Sequence, residues 1–122
     1  MGIVTLDKGN FKATVDEKGI VLVDCWAAWC GACKKFEPVF ERVAELNPGH
    51  TFAKLDAQAE KEIIEELGIE NIPTLLLFRD GIMLLKQAGY LDEANLNDVV
   101  KQAEGLDMDA VRADMADEGQ KS

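Results

Sequence analysis

The chain has 122 residues, of which 48% are hydrophobic, a composition typical of one globular domain and not of a disordered protein. Its 13 basic and 23 acidic residues give a formal net charge of −10, which argues against nucleic acid and anionic membranes as partners. Three cysteines are too few for the framework of a disulfide-stapled secreted mini-protein.

The sequence predicts a cytoplasmic protein. Its first residues lack the basic segment and the long apolar segment of a signal peptide. The most apolar stretches, residues 20–23 and 74–78, are far shorter than the roughly 20 residues that span a bilayer. We therefore expect neither export nor membrane insertion.

The first half of the chain alternates short apolar runs with stretches of helical period. A β-like run over residues 3–6 precedes a predicted helix over 10–18, which ends at a glycine. The continuous apolar run 20–23 predicts a strand that is buried on both faces. Between residues 31 and 46 apolar side chains recur at intervals of three and four, which predicts an amphipathic helix kinked at Pro38.

The second half continues the alternation and then changes to a hairpin. Residues 50–56 predict a third strand, and residues 60–67 predict a short helix. The runs 74–78 and 83–87 flank the dipeptide Asp80-Gly81, which is a strong signal for a β-hairpin.

A final helix and a tail complete the predicted fold. Asp92 is a suitable N-cap for a helix whose apolar positions are Leu96, Val99, Val100 and Ala103. We expect a domain over residues 1–104 and an acidic C-terminal extension over 105–122, helical or partly disordered. Strands that alternate with helices before a hairpin predict an α/β fold with a central mixed sheet and helices on both faces.

The segment Trp29-Cys30-Gly31-Ala32-Cys33 falls between the 20–23 strand and the long helix. Two cysteines three residues apart at a helix N-terminus lie on one face, close enough to form a small disulfide ring. Free N–H groups and the helix dipole stabilise a thiolate on the first cysteine, and a thiolate is the form that attacks disulfides. The pattern therefore indicates thiol–disulfide chemistry, with the first sulfur exposed at the helix tip.

Two other interpretations of this segment stay open. A zinc site needs four ligands, and the remaining candidates, Cys25 and His50, do not form a second ligand pair. A pair of buried structural cysteines is the other alternative. Cys25, which lies at the end of the predicted strand run, is itself expected to be a buried structural thiol.

Several separated motifs resemble the thioredoxin family. They are the residues VDCWAAWCGACK at 23–34, the tripeptides Lys54-Leu55-Asp56 and Ile72-Pro73-Thr74, and a glycine at position 89 before the last helix. The resemblance covers about residues 2–104. It implies a thioredoxin fold and dithiol–disulfide exchange without a bound cofactor. It also implies a monomer that takes electrons from a thioredoxin-reductase-like donor and passes them to disulfide-containing proteins.

The resemblance also implies roles for four residues. Cys30 corresponds to the attacking cysteine, and Cys33 to the cysteine that resolves the mixed disulfide. Asp24 corresponds to the buried carboxylate beneath Cys33; burial should raise its pKa and suit it to general-base work, unless it reaches solvent at a sheet edge. Lys54 corresponds to the lysine that neighbours this aspartate, and we expect the two to pair, unless Lys54 is an ordinary strand lysine.

Further residues are expected to bind the substrate around the first cysteine. The resemblance implies a cis Ile72–Pro73 bond whose backbone pairs with a substrate strand, and an apolar collar of Trp29, Ile72 and Gly89. The full predicted set is Trp29, Gly31, Ala32, Ile72, Pro73, Gly89 and Tyr90.

Ala32 departs from the family, in which a proline usually separates the two cysteines. The loss of proline leaves one more backbone N–H at the helix start, which favours the thiolate and a less reducing couple. The sequence therefore predicts a protein dithiol–disulfide oxidoreductase that reduces substrate disulfides. The alternatives are an oxidase or isomerase that uses the same site, and a redox-inert binding module.

Overall fold

The structure, a computed structural model, describes the backbone of residues 2–121 and the side chains of residues 2–116. Its strands are β1 (Val4–Thr5), β2 (Ile20–Trp26), β3 (Thr51–Asp56), β4 (Thr74–Arg79) and β5 (Ile82–Ala88). Its helices are α1 (Phe11–Val15), α2 (Gly31–Leu46), α3 (Lys61–Glu66), α4 (Glu93–Glu104) and α5 (Met108–Lys121).

The strands form a single mixed sheet in the order β1-β3-β2-β4-β5. β1, β3 and β2 run parallel, whereas β4 pairs antiparallel with both β2 and β5. The predicted α/β class with a mixed sheet is confirmed. β2 lies at the centre, and its residue Asp24 stands opposite Lys54 of β3 and Leu75 of β4.

Helices pack on both faces of this sheet. On one face, Leu22 of β2 packs among the buried apolar residues of α2 and α4, which include Phe36, Phe40, Leu96 and Val100. On the other face, Val21, Val23 and Cys25 pack with the buried residues of α1 and α3. Successive side chains of a strand point to opposite faces. Asp24 therefore points to the α2 face, into the layer that carries the cysteine helix.

Two elements end more than one residue away from the sequence expectation. The helix predicted over residues 10–18 ends at Val15, because the chain before β2 turns at Gly19 and pairs there with the hairpin. The N–H of Gly19 donates to Asp80 Oδ1 at 2.8 Å, and the N–H of Asp80 donates to the Gly19 carbonyl at 3.0 Å. β2 extends to Trp26 rather than ending at residue 23, because the chain stays paired with β4 as far as Cys25 and with β3 as far as Trp26.

The hairpin and the last predicted helix are confirmed. Asp80 and Gly81 both have positive φ, 53° and 82°, as a two-residue type I′ turn requires. Asp92 caps α4, and its carboxylate accepts the N–H of Asn95 at 2.8 Å.

The C-terminal segment is helical over α5. Arg79 donates hydrogen bonds to the carbonyls of Ala103 and Leu106 at 2.6 and 2.9 Å, which fixes the connection between α4 and α5. Met108 at the start of α5 is buried. The division of the chain near Gly105 stays a prediction. Within residues 2–121, no helix combines the length and the apolar character that a membrane crossing needs.

Candidate active site

The cysteine pair lies at the junction between the end of β2 and the start of α2. Cys30 is the N-cap of α2, and its Sγ accepts the backbone N–H of Cys33 at 3.2 Å. A sulfur in this position faces the positive end of the helix dipole and an N–H donor, both of which favour negative charge on it. The predicted place of Cys30 at the helix tip is therefore observed, and both thiols are free.

The expectation that the first cysteine is exposed is wrong. Cys30 is 7% exposed and Cys33 is 3% exposed. The two cysteines pack with Ala27, and the side chains of Trp26 and Ile72 close over this cluster. Sγ of Cys30 also lies 3.8 Å from the Ile72 carbonyl oxygen. The sulfur of Cys30 therefore lies within this cluster rather than projecting from the surface.

The loop opposite the cysteines has the geometry that the resemblance implied. The Ile72–Pro73 peptide bond is cis. The carbonyl of Pro73 accepts the N–H of Gly89 at 2.8 Å, and Gly89 has a positive φ of 103° that favours glycine. The two predicted residues Pro73 and Gly89 thus belong to one connected feature beside the cysteine pair.

The apolar collar differs in part from the expectation. Ile72 packs against the cysteine pair, but the aromatic contact comes from Trp26. Trp29 projects from the surface with 67% of its area exposed. Tyr90 is 47% exposed and packs edge-on against Phe36 at 6.3 Å between ring centroids. The reason is that Trp26 ends a central strand and is held inward, whereas Trp29 lies in the loop before α2.

The first turn of α2 is open on its outer side. Gly31 and Ala32 are both exposed, and a Cβ added to Gly31 would meet nothing within 4 Å. The backbone here leaves room for another polypeptide to approach the first cysteine.

Asp24 is buried and unusually placed for a carboxylate. It is 1% exposed, and its Oδ1 has no hydrogen-bond partner among the atoms that the structure describes. Burial raises the pKa of Asp24 to about 7, with Lys54 acting to lower it and Glu37 adding to the rise. The alternative of a solvent-reaching residue at a sheet edge is wrong, since β2 is the central strand.

Asp24 and Cys33 line the same cavity, which has a volume of about 240 Å³. Burial, together with the hydrogen bond to Cys30, holds the pKa of the Cys33 thiol well above its ordinary value. Cys33 thus needs a base to become a nucleophile, and the carboxyl of Asp24 opens onto the same space.

The predicted pairing of Lys54 with Asp24 is corrected by the structure. The two residues are neighbours across β2 and β3, but Nζ of Lys54 donates to Oε2 of Glu37 at 2.9 Å. It also lies 3.9 Å from Oε1 of Glu41. Glu37, which lines the Asp24 cavity, is the site residue that the sequence reasoning missed. Its signal is the helical period, because Glu37 follows Cys33 by one turn on the same face of α2.

The third cysteine and the histidine lie outside this site. Cys25 is fully buried on the opposite face of the sheet, and burial raises the pKa of its thiol far above the ordinary value. Nε2 of His50 lies 2.6 Å from Oε2 of Glu104. Among residues 2–116, whose side chains the structure describes, no group of three or more His, Cys, Asp or Glu could hold a metal ion.

The family model described as Thioredoxin matches residues 2–102. A protein named "Putative thioredoxin 2" from Streptomyces coelicolor is 47% identical over 115 residues, which cover 94% of this chain and 86% of that protein. A thioredoxin of Alicyclobacillus acidocaldarius is 40% identical over 103 residues, covering 80% of this chain and 98% of that protein. Among solved structures, a mutant thioredoxin from Halobacterium salinarum superposes with a TM-score of 0.78 at 30% identity, covering 86% of this chain and 92% of that one.

A mixed sheet with a CxxC pair at the start of the helix that follows its central strand, in a chain with these relatives, defines a thiol–disulfide oxidoreductase. Cys30 and Cys33 form its motif. The chain belongs to the thioredoxin family.

Proposed function

We propose that this protein reduces disulfide bonds in other proteins. The thiolate of Cys30 attacks a substrate disulfide, so that a mixed disulfide forms and one substrate sulfur leaves as a thiol. Cys33 then attacks Sγ of Cys30, the internal disulfide forms, and the second substrate thiol is released. The observation that carries this proposal is the sulfur of Cys30 at the N-cap of α2, where it accepts the N–H of Cys33.

Asp24 acts as the base for the second step in this proposal. The Cys33 thiol gives its proton to the Asp24 carboxylate, directly or through water in the cavity that both residues line. The raised pKa of Asp24, about 7, supports this role, because a base titrating near neutral pH can both take up and release a proton.

The proposed substrate contacts surround the opening above Cys30. A substrate strand pairs with the backbone at Ile72-Pro73, while its side chains meet the exposed Trp29 and Tyr90. Gly31, Ala32 and Gly89 provide room for the substrate backbone. We propose that Lys54 acts on this site electrostatically, through Asp24.

The proposed cellular setting follows from the family and the composition. The oxidised protein is returned to the dithiol by a thioredoxin-reductase-like donor and works as a cytoplasmic monomer without a bound cofactor. Disulfide-containing proteins are the partners that the family implies, and the net charge of −10 argues against nucleic acids and anionic membranes.

Insulin reduction in the presence of dithiothreitol tests the proposed function. We expect the protein to accelerate the precipitation of the insulin B chain well above the rate with dithiothreitol alone. The Cys25→Ala variant is a matched control, because it removes a thiol that lies on the other face of the sheet, and its rate should equal that of the wild type. A wild-type rate equal to that of dithiothreitol alone would refute the proposal.

Ala32 supports a second candidate function, in which the site oxidises or isomerises substrate cysteines. Ala32 retains a backbone N–H in the first turn of α2 that a proline would lack, and extra stabilisation of the Cys30 thiolate makes the dithiol form a weaker reductant. The redox potential decides between the two directions.

We expect the wild type to be less reducing than its Ala32→Pro variant by about 10–20 mV, because one first-turn N–H is worth about 0.5–1 kcal/mol to a helix-tip anion and 30 mV corresponds to about 1.4 kcal/mol. The shift is modest since the donor to Cys30 Sγ is the N–H of Cys33, which both variants keep. Titration of the two proteins against glutathione measures the difference. Equal potentials, or a more reducing wild type, would show that residue 32 does not tune thiolate stability.

A further inference from the structure

Three acidic side chains lie near Lys54, and the one that its ammonium contacts affects the protonation of Asp24. Its Cα is paired with that of Asp24 in the sheet, yet its ammonium is 2.9 Å from Glu37 and 3.9 Å from Glu41. The Lys54 side chain is only 19% exposed, so this ion pair is partly shielded from solvent and from screening by salt. The ammonium of Lys54 is therefore bound by glutamates of α2 rather than by Asp24 of the neighbouring strand.

As a result, the ammonium of Lys54 contacts Glu37 rather than the carboxyl of Asp24, and it acts on Asp24 only through space. Oδ1 of Asp24 has no hydrogen-bond partner within the described residues, and a buried carboxylate in that condition favours its neutral form. An ammonium paired directly with this carboxyl would favour the charged form further. A carboxylate so stabilised would be a poor proton acceptor for the Cys33 thiol.

We propose that Glu37 is a positioning residue of the resolving step, which holds the Lys54 ammonium away from Asp24 and so keeps Asp24 able to accept the proton of Cys33. This inference rests on the proposed function of the cysteine pair. Glu37 reaches the site from the helix turn that follows Cys33, and it lines the same cavity as Cys33 and Asp24.

Charged and titratable groups from β3, α2 and β2 surround Asp24. β3 presents Lys54, α2 presents Cys33, Lys34 and Glu37, and β4 presents an apolar leucine at its paired position. Along β2 the next residue, Cys25, is a buried thiol with a raised pKa. Lys54 is the cation that lowers the pKa of Asp24, and Glu37 is the anion that raises it, so their pairing sets the balance.

The step itself is balanced in protons and electrons. The proton passes from Cys33 Sγ to the Asp24 carboxylate, and the new thiolate attacks Cys30 Sγ of the mixed disulfide. The Cys30–Cys33 bond forms as the bond from Cys30 to the substrate sulfur breaks, and the substrate sulfur leaves with the electron pair. The leaving thiolate is then protonated from Asp24 or from solvent.

The test compares Glu37→Gln with Glu41→Gln. Both glutamates lie on α2 one turn apart, have 52% exposed side chains and contact Lys54, so the two substitutions remove the same charge from similar surroundings. Only Glu37 lines the Asp24 cavity. A third variant, Glu37→Asp, keeps the negative charge and tests rescue.

Two readouts are followed across pH 4–9: the titration of Asp24 by carboxyl ¹³C NMR of aspartate-labelled protein, and the rate of thiol release from a preformed mixed disulfide on Cys30. In Glu37→Gln we expect both midpoints to fall by about one pH unit, because the anion that raises the pKa of Asp24 is lost and the released ammonium turns to Asp24. In Glu41→Gln both midpoints should stay at their wild-type values. In Glu37→Asp, which keeps the negative charge, both midpoints should lie close to the wild-type values.

An unshifted Glu37→Gln, or equal shifts in Glu37→Gln and Glu41→Gln, would overturn the role of Glu37. Loss of folding stability alone does not move an NMR midpoint in the folded protein, so a merely structural role is distinguished. A wild type that fails to reduce insulin would refute the proposed function, whereas an active wild type with an unshifted Glu37→Gln would overturn only this inference.

Discussion

Replacing Cys33 with serine should turn the protein into a covalent trap for its substrates, whereas replacing Cys30 should abolish exchange. The asymmetry follows from the helix tip: Cys30 is the N-cap whose sulfur accepts an N–H, and Cys33 is the more buried of the two thiols. Burial also keeps the pKa of Cys33 high, so the first attack falls to Cys30. Without Cys33 the mixed disulfide has no internal nucleophile to release it.

Intact-mass spectrometry of Cys33→Ser after incubation with a disulfide substrate measures this outcome. We expect one substrate adduct, and peptide mapping should place it on Cys30. The double variant Cys25→Ala, Cys33→Ser is the control and should carry the same adduct, because Cys25 is fully buried. An adduct found mainly on Cys25, or turnover retained by Cys30→Ser, would contradict the assignment of the nucleophile.

The bounds of α2 and the position of the hairpin were predicted correctly, because residues within or next to each element determine them. The bounds of α2, Gly31–Leu46, match the prediction, since the apolar period lies within the segment and the N-cap Cys30 directly precedes it. The hairpin is marked by Asp80-Gly81, whose backbone conformation is restricted to a few residue types. In both cases the information lies within a few residues of the feature.

The end of β2 could not be predicted in the same way. The apolar run stops at Val23, but pairing continues through Asp24 to Trp26 because β3 and β4 flank the strand on both sides. A strand boundary of this kind depends on partners far away in sequence. The same reason explains the corrected α1, whose end is set by contact with the distant hairpin.

The candidate site likewise has features that the sequence predicted and features that depend on contacts between distant residues. The positions of Cys30, Cys33, Asp24 and Pro73 came from motifs and from a family resemblance, both of which are properties of the sequence. The burial of Cys30 and the choice of Glu37 by Lys54 were not predicted. Both depend on which of several possible side-chain contacts forms in the folded protein. The sequence shows which residues could make these contacts, but not which contact is the most stable.

Replacing Asp24 with asparagine should stabilise the protein at pH 8 and slow the resolving step. The carboxyl of Asp24 is 1% exposed, and its pKa rises from 3.8 to about 7 on folding, chiefly because of burial. Between these two pH values the folded state holds a proton that the unfolded state has lost. The contribution of Asp24 to stability is therefore fully present below about pH 4 and is lost as the pH rises through about 7.

The size of this effect follows from the same interval. The difference between 3.8 and about 7 corresponds to about 4 kcal/mol of unfolding free energy, which is an upper estimate because a buried asparagine amide has a desolvation cost of its own. The advantage of Asp24→Asn over the wild type should grow steadily between pH 4 and pH 7 and then level off. Other carboxylates titrate in both proteins and cancel in the difference.

Urea unfolding of the two proteins at pH 4, 6 and 8, paired with insulin turnover at pH 7, measures both halves of the prediction. Glu41→Gln is a suitable control, since it removes one negative charge from the exposed surface of α2 and should show no such pH-dependent gain. If Asp24→Asn is less stable than the wild type at pH 8 and still fully active, Asp24 is neither a costly buried acid nor the base for Cys33. A variant that is more stable but equally active would separate the two claims, because the burial cost would stand and the proton would have to leave Cys33 by another route.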